Sequence, residues 1–187
     1  MKGKIMREQH THIHQKITGI PAIKKSPERE NYPVSMQQEG VWLQAKIDPA
    51  STVWNTSHSW RYEGRLDTAA MKEAIRQLIR RHKPLRTNFR LEGDRICQFI
   101  HERYSIEAYY RYIDISGKPG EEREAEARRL EIEVAQAPYD LEKAPLARYT
   151  VIRLREDDHV MVMGLHHIIT DVTTRQILWK ELIAIYN

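Results

Sequence analysis

Cysteine is almost absent from this chain. Cys97 stands alone, so no disulfide can form within one chain and no cysteine-based metal site can be assembled from it. Long apolar runs are absent too: nothing approaches the roughly 18 consecutive apolar residues that a membrane-spanning helix needs. Residues 1–20 are basic and contain histidines but lack the apolar stretch of a secretory signal, so a cytoplasmic protein with no membrane partner is expected. Charge of one sign is not in large excess. Lys and Arg number 30 against 26 Asp and Glu, a formal charge of +4. Acidic residues interleave with basic ones through 119–155, which argues against a long nucleic-acid-binding stripe. A small basic patch for an acidic partner stays open. No internal repeat is present. What remains is a globular composition, 187 residues with 41% hydrophobic and 30% charged side chains, long enough for one substantial domain with its own core.

Residues 1–31 read as a flexible tail or inter-domain linker: polar, without periodicity, and interrupted by Gly3, Gly19, Pro21 and Pro27. His10, His12 and His14 alternate there, a spacing that could capture a metal but that a tail gives no framework to hold. The folded unit is expected over 32–187. Ser35 with Gln38 forms a capping box, after which Met36, Gly40, Leu43 and Ile47 recur at helical spacing until Asp48-Pro49. The aromatic, alternating stretch 54–62 reads as a strand ending at Gly64. Asp67 is placed to cap a helix whose apolar stripe is Met71, Ala74, Ile75, Leu78 and Ile79. Residues 85–91 and 95–101 read as a hairpin around Glu92-Gly93-Asp94. A helix fits 121–137, with Ala127, Leu130 and Val134 inward and glutamates outward. Strands follow at 147–154 and 159–165, the second so apolar that it suits a central position covered on both faces. Thr173 with Gln176 forms another possible capping box, opening a last helix with Leu178, Leu182, Ile183 and Tyr186 on its apolar side. The fold class expected is α/β, a mixed sheet with packed helices.

One place carries candidate chemistry. The apolar strand runs directly into His166-His167, then Ile168-Ile169-Thr170-Asp171 and a helix start. Polar residues at the exit of a buried strand have a fixed backbone and an exposed side chain, and imidazole exchanges protons near neutrality. Three readings stay open on the residues alone: general acid–base catalysis by one histidine braced by the other, two structural histidines satisfying buried backbone, or a metal site. The last lacks a clear third ligand, and adjacent residues of an extended segment point to opposite faces. Asp171 could hold a histidine tautomer, pair with an arginine, or cap the following helix. A second polar cluster is Arg81-His82-Lys83-Pro84-Leu85-Arg86-Thr87-Asn88-Phe89. Its first cations suit the negative end of a helix dipole, and Arg86 is placed to reach a carboxylate such as Asp171.

The stretch Leu165-His166-His167-Ile168-Ile169-Thr170-Asp171 resembles the histidine signature of condensation domains of non-ribosomal peptide synthetases. Arg81 to Phe89 resembles a second motif of that family, Ser35-Met36-Gln37-Gln38-Glu39-Gly40-Val41-Trp42-Leu43 the first, and Pro138-Tyr139-Asp140-Leu141 with Pro145-Leu146 the approach to the histidine strand. Order and spacing agree from about residue 32 onward. The resemblance implies one chloramphenicol-acetyltransferase-like lobe, the amino-terminal one, of a normally two-lobed enzyme that forms an amide between carrier-bound thioesters. It implies His167 as the catalytic histidine, His166 as its structural neighbour, and Asp171 in an ion pair with Arg86, with Arg81 as further support. The implied partners are upstream and downstream carrier proteins, a missing carboxy-terminal lobe and other synthase modules. No tightly bound cofactor or metal is implied, because the phosphopantetheine arms belong to the carriers. The isolated lobe is expected to be inactive. A degenerate carrier-docking lobe and a thioester-linked epimerase are the alternatives. Val172 stands where the family usually has glycine, and the expectation is a narrowed tunnel or a reoriented turn.

Overall fold

The computed structural model describes residues 27 and 29–187. Most of the expected tail, His10, His12 and His14 included, lies outside them. Strand β1 (Tyr32–Pro33) leads into helix α1 (Met36–Ile47), and the capping box forms: Ser35 Oγ accepts the Gln38 N–H at 3.2 Å while Gln38 Oε1 accepts the Ser35 N–H at 3.0 Å. The periodic row on α1 faces outward, against expectation, with Met36 and Ile47 both 85% exposed. Trp42 is the buried residue instead, its Nε1 donating to the Phe89 carbonyl at 3.3 Å. One anchored indole outweighs three aliphatic side chains in choosing which face turns inward.

Strand β2 (Asn55–Glu63) precedes helix α2 (Thr68–Arg81), which Asp67 caps through the N–H groups of Ala69 and Ala70. All of the stripe expected on α2 is buried. A 3-10 turn at Lys83–Arg86 takes Leu85 and Arg86 out of the expected strand, and β3 (Thr87–Glu92) pairs with β4 (Arg95–Ile100) around Gly93, whose φ of +62° lies in the left-handed region that favours glycine. β5 (Tyr110–Asp114) has no counterpart in the sequence reading. Helix α3 (Gly120–Gln136) buries Ala127, Leu130 and Val134 as expected. β6 (Ala147–Arg155) and β7 (Asp158–His166) form an antiparallel hairpin, and α4 (Val172–Tyr186) closes the chain. Its cap is Asp171, whose Oδ1 accepts the Thr174 N–H at 2.6 Å, so the helix opens before the expected Thr173–Gln176 box.

Two open sheets result, β1-β4-β3 and β2-β7-β6-β5, the second mixed because β5 runs parallel to β6. Every residue of β7 is buried. Its alternation divides the core: Met161, Met163 and Leu165 join the cluster that contains α2 and α4, while Val160 and Val162 join Leu130 and Val134 of α3. Trp60 stacks on Trp179 with ring centroids 3.8 Å apart, fastening α4 over β2. No helix among the described residues is long and apolar enough to cross a membrane.

Gly164 marks where α3 comes closest to the sheet. A Cβ there would lie 2.9 Å from Val134 Cγ1 and 3.2 Å from Tyr139 Oη. Gly164→Ala is expected to destabilise the fold by about 1–3 kcal/mol through overpacking. Part of that loss should return in the Gly164→Ala/Val134→Ala double variant. Equilibrium denaturant unfolding measures both, and additive losses would refute the clash.

Candidate active site

Residue 166 is the last of β7, paired in register with Asn55 of β2. Its imidazole is 4% exposed and sits edge-on to Tyr139, with ring centroids 5.8 Å apart. The ring Nδ1 accepts the Ile168 N–H at 3.2 Å, which requires an unprotonated Nδ1. Burial first, and the neighbouring His167 second, push the pKa of His166 down to about 4. This histidine is a neutral brace for the turn that follows.

That turn is a 3-10 segment, His167–Ile169. The backbone N–H of His167 donates to the Trp54 carbonyl at 2.8 Å, and its exposed ring meets the Trp54 indole nearly perpendicular, at 5.8 Å and 82°. An open groove of roughly 460 Å³ runs past it, lined also by Met36, Gln38, Gly40, Gln44 and Trp54. His167 also lines a smaller hollow of roughly 320 Å³ with Pro84, Thr87, Thr170 and Asp171. Gln38 ties these parts together: besides closing the α1 capping box, its Nε2 donates to the Ile168 carbonyl at 3.1 Å. Sequence reading found Gln38 as a cap within the first motif stretch and Trp54 only as a strand residue. No local signal gives more, because the register of β2 against β7 is what brings Trp54 beside the turn.

Asp171 stays with α4. The Thr174 hydroxyl and then its N–H hold the carboxyl below its ordinary range, and His167 acts in the same direction. The expected Arg86–Asp171 pair is not formed. Arg86 is buried in the turn before β3, where its Nη1 donates to the His101 carbonyl at 2.8 Å and to Glu102 at 3.1 Å. It thereby closes the far end of the β3–β4 hairpin, where the His101 carbonyl needs a donor. Arg81 and His82 both meet Glu181, at 3.0 and 2.7 Å, pinning α2 to α4. Asn88 donates to the Glu142 carbonyl, and Phe89 N–H bonds the Leu141 carbonyl at 2.7 Å. The second motif is thus a set of latches around the site. Val172 is the first residue of α4, 59% exposed, and no described residue other than glycine has a positive φ. The turn therefore makes no demand for a glycine dihedral there.

Among the described residues, no three His, Cys, Asp or Glu side chains converge to hold a metal ion. What the site offers is one accessible imidazole on a fixed backbone, next to an open groove.

The fold is a mixed α/β lobe that carries an exposed histidine where β7 leaves the sheet. Residues 28–187 match the family model described as Condensation domain, and the chain belongs to that family. A linear gramicidin synthase of Brevibacillus parabrevis is 40% identical over 155 residues, 83% of this chain and 3% of that protein. Bacitracin synthase 2 of Bacillus licheniformis is 32% identical over 165 residues, 88% of this chain and 6% of the other. The starter condensation domain of rhizomide synthetase RzmA superposes with a TM-score of 0.78 at 23% identity, over 84% of this chain and 39% of that one. The first condensation domain of the CDA synthetase gives 0.73 at 23%, over 83% and 39%. At that identity the two structures speak for the fold. The chain spans between 2% and 13% of the length of such curated synthases.

The neutrality of His166 has a pH signature. Its folded pKa lies below the unfolded value near 6.5, so the unfolded chain binds the extra proton between them. Its contribution to stability is fully present above about pH 6.5 and falls away as pH drops towards 4, by a few kcal/mol in all. His166→Asn, which keeps an acceptor without titrating there, should show a smaller loss of stability between pH 7 and pH 5 than the native chain. Equal slopes in thermal or denaturant unfolding would contradict the assignment.

Proposed function

We propose that this chain is the histidine-bearing half of a condensation enzyme, joining a carrier-bound acyl or peptidyl thioester to a carrier-bound amine. The observation that carries this reading is the unequal treatment of two adjacent histidines. His166 is buried and committed to the Ile168 N–H, while His167 is exposed at the groove with its backbone fixed. In this reading the acceptor nitrogen attacks the donor carbonyl carbon beside His167. The imidazole orients that nitrogen and takes up its proton as the adduct forms. The carbon–sulfur bond then breaks, and the proton returns to the departing sulfur, giving an amide and a free thiol. Asp171 takes no proton, being engaged with the start of α4.

The substrates reach the groove on phosphopantetheine arms of upstream and downstream carriers, with residues 32–187 as the lobe and 1–31 as a linker from neighbouring modules. A variant of the RzmA starter condensation domain has been solved in complex with C8-CoA and Leu-SNAC. The groove beside His167 is open, and the outward row of α1 with Val53 leaves apolar surface bare. Both features fit a second lobe that covers this side and supplies the opposite wall. Orientation of two substrates needs both walls, so the isolated lobe has negligible turnover.

The test is amide formation from loaded donor and acceptor carriers by the two-lobed assembly. His167→Ala is expected to lower turnover about 10²- to 10⁴-fold with the fold intact. Turnover unaffected by the substitution, or substantial turnover by the lobe alone, would sink the reading.

A further inference from the structure

A histidine on an exposed turn has several rotamers open to it, and a reaction that depends on its ring needs one of them. The backbone of His167 is fixed by its N–H bond to Trp54, but that bond leaves the ring free to turn. Among the described residues, one aromatic side chain, Trp54, is in ring contact with it. The Trp54 indole stands at 5.8 Å and 82°, an edge-to-face arrangement of the kind aromatic pairs favour. The indole is itself held, because its Nε1 donates to Gln44 Oε1 at 2.8 Å. Gln44 lies on α1, which also carries Gln38 and its bond to the Ile168 carbonyl. Trp54 is half-buried, packs into neither core cluster, and lines the groove together with Gln44 and His167. Its indole is thus presented to the groove.

We propose that Trp54, oriented by Gln44, is a positioning residue that selects the ring orientation of His167. The proposal rests on the reading of His167 as the catalytic histidine. Its geometric content is nevertheless testable without turnover.

Isotope-labelled histidine in the 187-residue chain gives ring signals for His167, assigned by their loss in His167→Ala. Trp54→Leu should move those signals. Gln44→Leu keeps the indole but removes its tether, and should move them partway or broaden them. Gln44→Glu retains an acceptor and should restore the native positions. If Trp54→Leu does not fold, Trp54→Phe replaces it: the aromatic contact remains, the donor is lost, and the result should follow Gln44→Leu. In the two-lobed assembly, Trp54→Leu should lower kcat about 10- to 100-fold with little change in KM, as expected for a displaced catalytic group. His167 ring signals unchanged in the folded tryptophan and Gln44→Leu variants would overturn the proposal. Signals that move as expected in a chain whose native assembly makes no amide would keep the positioning role and remove the condensation reading.

Discussion

Strand β7 is withheld from water on both faces, and its register against β2 and β6 is the constraint on which the histidine turn depends. A slip of one residue would carry Met161, Met163 and Leu165 into the layer of α3 and drive Val160 and Val162 towards α2 and α4. It would also move Gly164 away from Val134, the one place where a side chain on this strand has no room. The alternation that sorts these residues continues to the end of the strand. Residue 166 falls on the same face as Gly164 and finds Tyr139, which approaches both. The chain then leaves the sheet, so residue 167 is the first whose side chain can face outward. Which of the two adjacent histidines is exposed is therefore decided by packing several residues earlier.

Burial also sets the charge of the first histidine. A buried imidazolium with no anionic partner is costly, and the Nδ1 of His166 is already accepting a backbone N–H. Neutral His166 braces Ile168 and places no positive charge beside His167. Asp171 is spent on the first turn of α4, where a carboxylate offsets the positive end of the helix. Asp171 fixes where α4 begins, while Arg86 salt-bridges Glu102 instead. Glu181, near the other end of α4, receives Arg81 and His82 from α2. The helix that follows the histidine turn is thus held at both ends.

Elements whose signal is local are legible in the order of residues alone. Helices α2 and α3 combine regular apolar spacing with a matching buried face, and Ser35 and Asp67 cap through bonds spanning two or three residues. The apolar run of β7 identifies a central strand because burial on both faces removes all alternation. What the sequence does not reveal is decided at a distance. β5 is an edge strand whose parallel pairing with β6 leaves no hairpin signature. The face of α1 depends on Trp42 meeting the Phe89 carbonyl 47 residues away. The Arg86–Asp171 expectation assumed that two opposite charges near a site would meet, whereas the His101 carbonyl and Glu102 lay nearer along the hairpin. His166 and His167 could be singled out from sequence, but the contact of Trp54 with the second required the pairing of β2 with β7.

Val172 bears differently on fold and on chemistry. As the first residue of a helix it adopts an ordinary backbone conformation, and Asp171 before it already supplies the cap, so neither the turn nor α4 is reoriented by a β-branched side chain. Its isopropyl group instead projects into solvent immediately after the hollow that His167 shares with Asp171 and Thr174. Val172 lines neither that hollow nor the groove beside Trp54, and His167 keeps its place through the buried strand before it and its N–H bond to the Trp54 carbonyl.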